Sequence, residues 1–376
     1  ESDMARLAKW STLGIGLVAA ALLANIGVPA WHRALGHHER GQMLERLSRE
    51  LDDGALGIGI LLGYCRETPG EEYLEIAALA AQTRAPTFTH VRDLGRPDSG
   101  LLGAQEVVAA ASSTGAHMHL CHINSTSVRT VDHVHALLDD ARARGVRVTT
   151  EAYPYGSGAT GIGAQFLDPG ELAASGRSPT DIVYLPGNER IQTAARLREL
   201  RAQDPGGLAI VEFLREERPE DLGYLTRALL HHDTAVASDA MPLAPDDPTR
   251  DVGWPVPAGT ATHPRTAGTF ARIFRWYVRE LQILDLAEAV RRCTIVPAQI
   301  LQTVSADMGR KGRVQAGADA DLVIFDPATI TDRATYASPV EPSSGFSYVM
   351  VNGTPVVKAG ALQVDVLPGL PVRGGR

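Results

Sequence analysis

Three side chains in this sequence are of types suited to hydrolytic chemistry: His90 in Thr-His-Val-Arg-Asp, His122 in Leu-Cys-His-Ile-Asn-Ser, and Asp239 in Ala-Ser-Asp-Ala. Each lies at the end of a short β-type run. Two neutral imidazoles and a carboxylate meeting at one point could hold a divalent ion of the zinc type, the carboxylate then taking a proton from the attacking water. Taken singly, each histidine reads as a hydrogen-bonded structural residue. Their shared placement is what favours a metal.

That placement needs elements to carry it. The runs 55–60 (ALGIGI), 86–91 (PTFTHV), 116–123 (AHMHLCHI), 146–152 (VRVTTEA), 208–213 (LAIVEF) and 234–239 (TAVASD) read as strands. Residues 71–83, 104–114 and 127–144 read as helices, the last with Ser125, Thr126 or Ser127 as N-cap. Strands in the first half recur about every thirty residues, the repeat of a βαβ unit, which implies a parallel sheet. Without a dinucleotide fingerprint, the expected α/β architecture is a (β/α)8 barrel with its active site at the carboxyl ends of the strands. Residues 181–185 (DIVYL) and the apolar run before residue 30 are further strand candidates, and the barrel is expected to be incomplete at its amino-terminal side. Beyond residue 305 the pattern becomes all-β: 312–315, 320–325, 346–351 and 354–358, with Asn352-Gly353 marking a type I′ hairpin. The expected division is a barrel over 1–304 and a β-sandwich segment over 305–376.

Composition narrows the function. The 376 residues are 44% hydrophobic and 21% charged, which excludes a disordered or fibrous chain. A net charge of −8 argues against a nucleic-acid partner. Three scattered cysteines make no disulfide framework, so a cytoplasmic setting is expected. Residues 11–30 carry no charge and follow Arg6 and Lys9; the segment reads as a signal peptide for export, a membrane anchor, or a buried piece of the barrel.

The other histidines read as bystanders. His117 and His119 share a strand face opposite to that of His122 and are expected to pack or to be hydrogen-bonded. Cys121 reads as a small buried hydrophobe. His133 and His135 point about 200° apart on a helix, and His37-His38 and His231-His232 read as solvated.

These motifs together resemble the amidohydrolase superfamily, in its D-aminoacylase / N-acyl-D-amino-acid deacylase branch, from about residue 50 to the end. The resemblance rests on Gly-Ala-Leu-Gly-Ile-Gly at 54–59, Thr-His-Val-Arg at 89–92, Cys-His-Ile-Asn at 121–124 and Glu-Ala-Tyr-Pro-Tyr at 151–155. It extends to Ser-Asp at 238–239, His-Pro-Arg and Gly-Thr-Phe within 263–270, and the tail at 312–327. It implies a metal-dependent hydrolase acting on the amide bond of a small N-acyl-D-amino acid. His90 and His122 would be ligands of one Zn2+ ion and Asp239 the general base and acid. Arg265 would grip the substrate α-carboxylate, and Tyr155 or Tyr153 would donate a hydroxyl nearby.

The sequence also departs from the family pattern. The HxH pair of the first strand and the later cysteine ligand are not visible ahead of residue 50, so the remaining set would hold zinc more weakly. Between Lys9 and Lys311 there is no lysine, which excludes a carboxylated-lysine bridge in the barrel. Asn124 stands where the family carries a lysine in the substrate pocket, and no basic residue follows in 152–176, which favours a neutral D-side chain. The rival expectations are an amidohydrolase of cyclic amides or dipeptides, and an inactive, truncated barrel with a binding or structural role.

Overall fold

The computed structural model describes residues 33–92, 96–244, 253–257 and 259–375; the segment 11–30 lies outside them. Its strands run in chain order β1 (Ile58–Leu61), β2 (Thr87–His90), β3 (Met118–Leu120), β4 (Val148–Ala152), β5 (Ser157–Gly161), β6 (Ile182–Tyr184) and β7 (Glu189–Arg190). They continue with β8 (Leu208–Glu212), β9 (Thr234–Val236), β10 (Leu322–Phe325), β11 (Phe346–Val351), β12 (Thr354–Lys358) and β13 (Ala361–Leu362).

Five of these strands form one parallel sheet in the order β1-β2-β3-β4-β9. The crossover helices Gly70–Thr83, Ser99–Thr114 and Val131–Ala143 lie between successive strands. Their apolar residues, among them Ala77, Ala80, Val107, Ala111, Val134 and Leu138, bury one face of the sheet together with Met118, Leu120 and Val148. Alternation along the strands sends Phe88 and His119 to the other face, where their rings lie 5.2 Å apart. Parallel register aligns Leu61 with His90 and Thr89 with Leu120, so the carboxyl ends of the strands share one edge. The fold is thus α/β with several sheets; among the described residues the parallel sheet has two ends and is not closed.

Two strand expectations are corrected. Residues 208–213 and 181–185 do not join the parallel sheet; they supply β8 and β6 of an antiparallel sheet ordered β5-β8-β6-β7, inserted between β4 and β9. A short apolar run fits either kind of sheet, and the partner β5 (SGATG) carries no strand signature of its own. This insertion has its own core of Ile162, Leu167, Ile182, Ile191, Leu197 and Val211, into which Tyr64 is packed.

The carboxyl-terminal strands form an antiparallel sheet, β10-β11-β12-β13. Asn352 and Gly353 take φ of 49° and 77°, the conformation a type I′ turn demands of both central residues. Residues 312–315 form no strand, and β13 is an addition. No helix among the described residues is long and apolar enough to cross a membrane.

Candidate functional site

His90 is the last residue of β2, and His122 lies two residues beyond β3. Their rings meet edge to face with centroids 4.6 Å apart. Strand alternation alone would have sent His122 away from the inner face. It returns because its backbone is left-handed, φ 37° and ψ 57°, where the strand breaks into the short helix Ile123–Ser127. The Ser125 hydroxyl lies 2.9 Å from His122 Nδ1, so the other ring nitrogen is the one left for a ligand. Burial holds the His122 imidazole down at about 4, so the ring is neutral at physiological pH. Tyr64 tilts over His90 at 4.8 Å and is tied by its hydroxyl to Thr160 of the inserted sheet at 2.9 Å. Gly63 lets His90 pack this closely, since a Cβ there would overlap the ring.

Asp239 follows β9 in a second left-handed conformation, φ 48°. Its carboxylate pairs with Arg265 at 2.9 Å. Burial raises the Asp239 carboxyl above the usual aspartate range, and the nearby Glu151 adds to this against the pull of Arg265 and His90. Arg265 opens the helix Arg265–Arg272 and is 1% exposed. Its Nη2 serves Asp239, its guanidinium lies 4.6 Å over the Tyr153 ring, and its Nε and Nη1 are buried with no hydrogen-bond partner. A Cβ at Gly158 would stand 3.5 Å from Nη1 and 3.2 Å from the Tyr153 hydroxyl, so glycine keeps that side open. His263 accepts the Arg265 backbone N–H at 3.0 Å and lies 2.9 Å from Ser157, which fixes where the helix begins.

The two tyrosines are separated. Tyr153 lines the mouth, 6.5 Å from the His122 ring, its hydroxyl pushed up to about 12 by burial. Tyr155 instead packs under Arg272 and against His263, away from the imidazole pair. Asn124 is tied to backbone: its side-chain amide donates to the Tyr155 carbonyl and its oxygen accepts the Tyr153 N–H, both at 3.2 Å. Through these contacts Asn124 and Tyr155 shape the 153–155 loop.

His119 is buried and hydrogen-bonded to Thr149 at 2.9 Å, in keeping with its reading as a packed or hydrogen-bonded residue, and Cys121 lies half-buried beside it. They lie two residues apart on the inner face, and with Glu151 of β4 they bring an imidazole nitrogen, a thiol and a carboxylate oxygen within 4.8 Å of one another. Their i, i+2 spacing was the signal, and Glu151 stands within the Glu-Ala-Tyr-Pro-Tyr motif. His231 and His232 are not simply solvated, since both bond Asp139, at 3.1 and 2.8 Å.

The amidohydrolase family profile matches residues 18–357. Among curated proteins, N-acyl-D-glutamate deacylase of Alcaligenes xylosoxydans xylosoxydans is 29% identical over 85% of this chain and 61% of its own length. From the same organism, N-acyl-D-aspartate deacylase is 27% identical (86% and 61%) and D-aminoacylase 26% identical (90% and 66%). This chain thus spans less than two thirds of the length of these relatives. A structure of N-acyl-D-glutamate deacylase from Bordetella bronchiseptica, complexed with zinc and a phosphonate inhibitor, superposes with a TM-score of 0.68 at 27% identity, covering 90% of this chain and 68% of that one. A D-aminoacylase structure, 23% identical, shares the fold with a TM-score of 0.71 over 93% of this chain and 69% of that one. The chain belongs to the amidohydrolase family.

Proposed function

We propose that this protein hydrolyses the amide bond of N-acyl-D-amino acids with the help of zinc. The observation that carries the reading is Arg265: a buried guanidinium with two unpartnered donor nitrogens, beside a half-buried carboxylate and a pair of facing imidazoles. Uncompensated guanidinium donors in a buried site suit an anion such as a carboxylate, and the named relatives are deacylases of substrates that carry one. We further read the five parallel strands as part of a (β/α)8 barrel over 1–304, with 305–376 as its β-sandwich segment; the likeness to the deacylase structures supports this.

The residues present fit a zinc ion. His122 keeps one ring nitrogen beside His90 while Ser125 occupies the other, and imidazole nitrogens are donors that zinc accepts. His90 and His122 would hold it, and when bound it would supply a water of lowered pKa and polarise the amide carbonyl. Arg265 offers its unpartnered Nη1 to the substrate α-carboxylate, and the Tyr153 ring supports the guanidinium. Asp239, its proton affinity raised by burial, takes the proton of the water at a carboxylate oxygen and returns it to the leaving nitrogen. Asn124 is engaged with backbone and no Arg or Lys occurs in 152–176, which supports a neutral D-side chain rather than the acidic ones named for the relatives.

The test is an assay of N-acetyl-D-leucine and N-acetyl-D-methionine beside N-acetyl-D-glutamate, hydantoins and β-aspartyl dipeptides. Turnover of the neutral N-acetyl-D-amino acids is expected. Turnover of the cyclic amides or dipeptides alone would overturn the proposal.

A further inference from the structure

We propose that His119, Cys121 and Glu151 form a second zinc-type site at the same strand ends, built wholly from β3 and β4 and the residues just after β3. It shares the metal-dependent reading above but does not depend on His90 or His122 being ligands.

The geometry is specific. One ligand atom from each of the three side chains lies within 4.8 Å of the other two, close enough for a single ion to bridge them. His119 is 1% exposed, and its Nε2 is buried with no hydrogen bond, although a Glu151 oxygen stands 3.3 Å away. Its other nitrogen is engaged: Nδ1 lies 2.9 Å from the Thr149 hydroxyl, which in turn lies 2.8 Å from His117 Nε2. With Nδ1–H donated to Thr149, and Thr149 O–H donated to His117, Nε2 presents its lone pair towards a carboxylate and a sulfur. In that tautomer, and with the Cys121 thiol ionised, three electron-rich atoms would face one another, an arrangement that suits a cation between them. Thr149 is the kind of outer partner that fixes a ligating imidazole. His119 itself is sealed, while Cys121 and Glu151 remain half-buried, so an ion has a way in from the mouth.

A thiolate, an imidazole and a carboxylate select zinc over magnesium or calcium and leave a fourth position for water. Occupation requires the Cys121 thiol to give up its proton, so uptake releases acid.

Cobalt(II) titration of the metal-free chain reads the sulfur directly. Expected is a near-ultraviolet thiolate-to-cobalt charge-transfer band that is lost in Cys121→Ser and retained in His90→Ala. Glu151→Gln and His119→Gln, checked for native circular dichroism, are expected to weaken zinc at this site by at least about tenfold. Absence of the band in the parent chain, or its persistence in Cys121→Ser, overturns the proposal. Visible cobalt bands without a sulfur band would do so while leaving the His90 and His122 reading intact. Visible and sulfur bands both unchanged in His90→Ala would place the only metal here and overturn that reading instead.

Discussion

The two sides of the mouth are built on opposite electrostatic plans. On the β9 side, Arg265 is buried, Asp239 is half-buried, and the two already neutralise each other through one guanidinium nitrogen. On the β2–β4 side, the imidazoles of 90, 119 and 122, the thiol of 121 and the carboxylate of 151 gather with no lysine or arginine of their own strands among them. The first side is complete without any visitor and only its spare donors await one. The second is a set of Lewis bases whose mutual arrangement makes sense around a cation. Removing a partner should therefore hurt stability on the first side and metal affinity on the second.

The largest effect is expected from Arg265→Met. It strands a half-buried carboxylate, a lost partner worth about 1–3 kcal/mol, and it removes the substrate anchor; urea unfolding and kcat/KM should both fall. If stability is unchanged, the pair is not the keystone described here. Asp239→Asn leaves the guanidinium with a neutral acceptor and should be milder for folding. Its kcat should drop by about 10²–10⁴, the range for a general acid–base group, with KM little altered. The parent's acid limb should also lie above the ordinary aspartate range, because Asp239 is raised by burial.

Ser125→Ala sharpens the contrast from the other side. It should weaken zinc by about 10–100-fold through loss of imidazole orientation, with the unfolding midpoint of the metal-free protein almost unmoved. The smallest effect separates the sides by sign of pH dependence. Burial lowers His117 to about 4, so the unfolded chain binds a proton there that the folded chain refuses; stability is lost as pH falls from 6.5 towards 4. Asp239 works in the reverse direction: its raised folded value means protonation favours the folded state as pH falls through that value. Urea midpoints measured over this range should decline in the parent, decline less in His117→Gln, and decline more in Asp239→Asn.

Much of this plan was legible in the sequence where local chemistry and fold period agree. The thirty-residue rhythm located β1 to β4, and polar residues at strand ends led to His90, His122 and Asp239. It failed where a residue's partner is remote or where the backbone breaks period. LAIVEF at 208–213 is as good a parallel strand as an antiparallel one until the glycine-rich β5 is seen to pair with it. Alternation correctly put His119 and Cys121 on one face and wrongly concluded that His122 was excluded from it, because a left-handed residue cancels the parity of the strand. Tyr153 and Tyr155 have the same spacing signal, and only the helix bearing Arg265 and Arg272 assigns one ring to each guanidinium.

The shared nitrogen between Arg265 and Asp239 gives the site a form of self-priming. An anion settling on the open donors of the guanidinium drains part of the positive field that keeps the aspartate acidic. The base therefore strengthens as the guest arrives and relaxes as it leaves, so an empty cleft holds a weaker proton acceptor than a filled one.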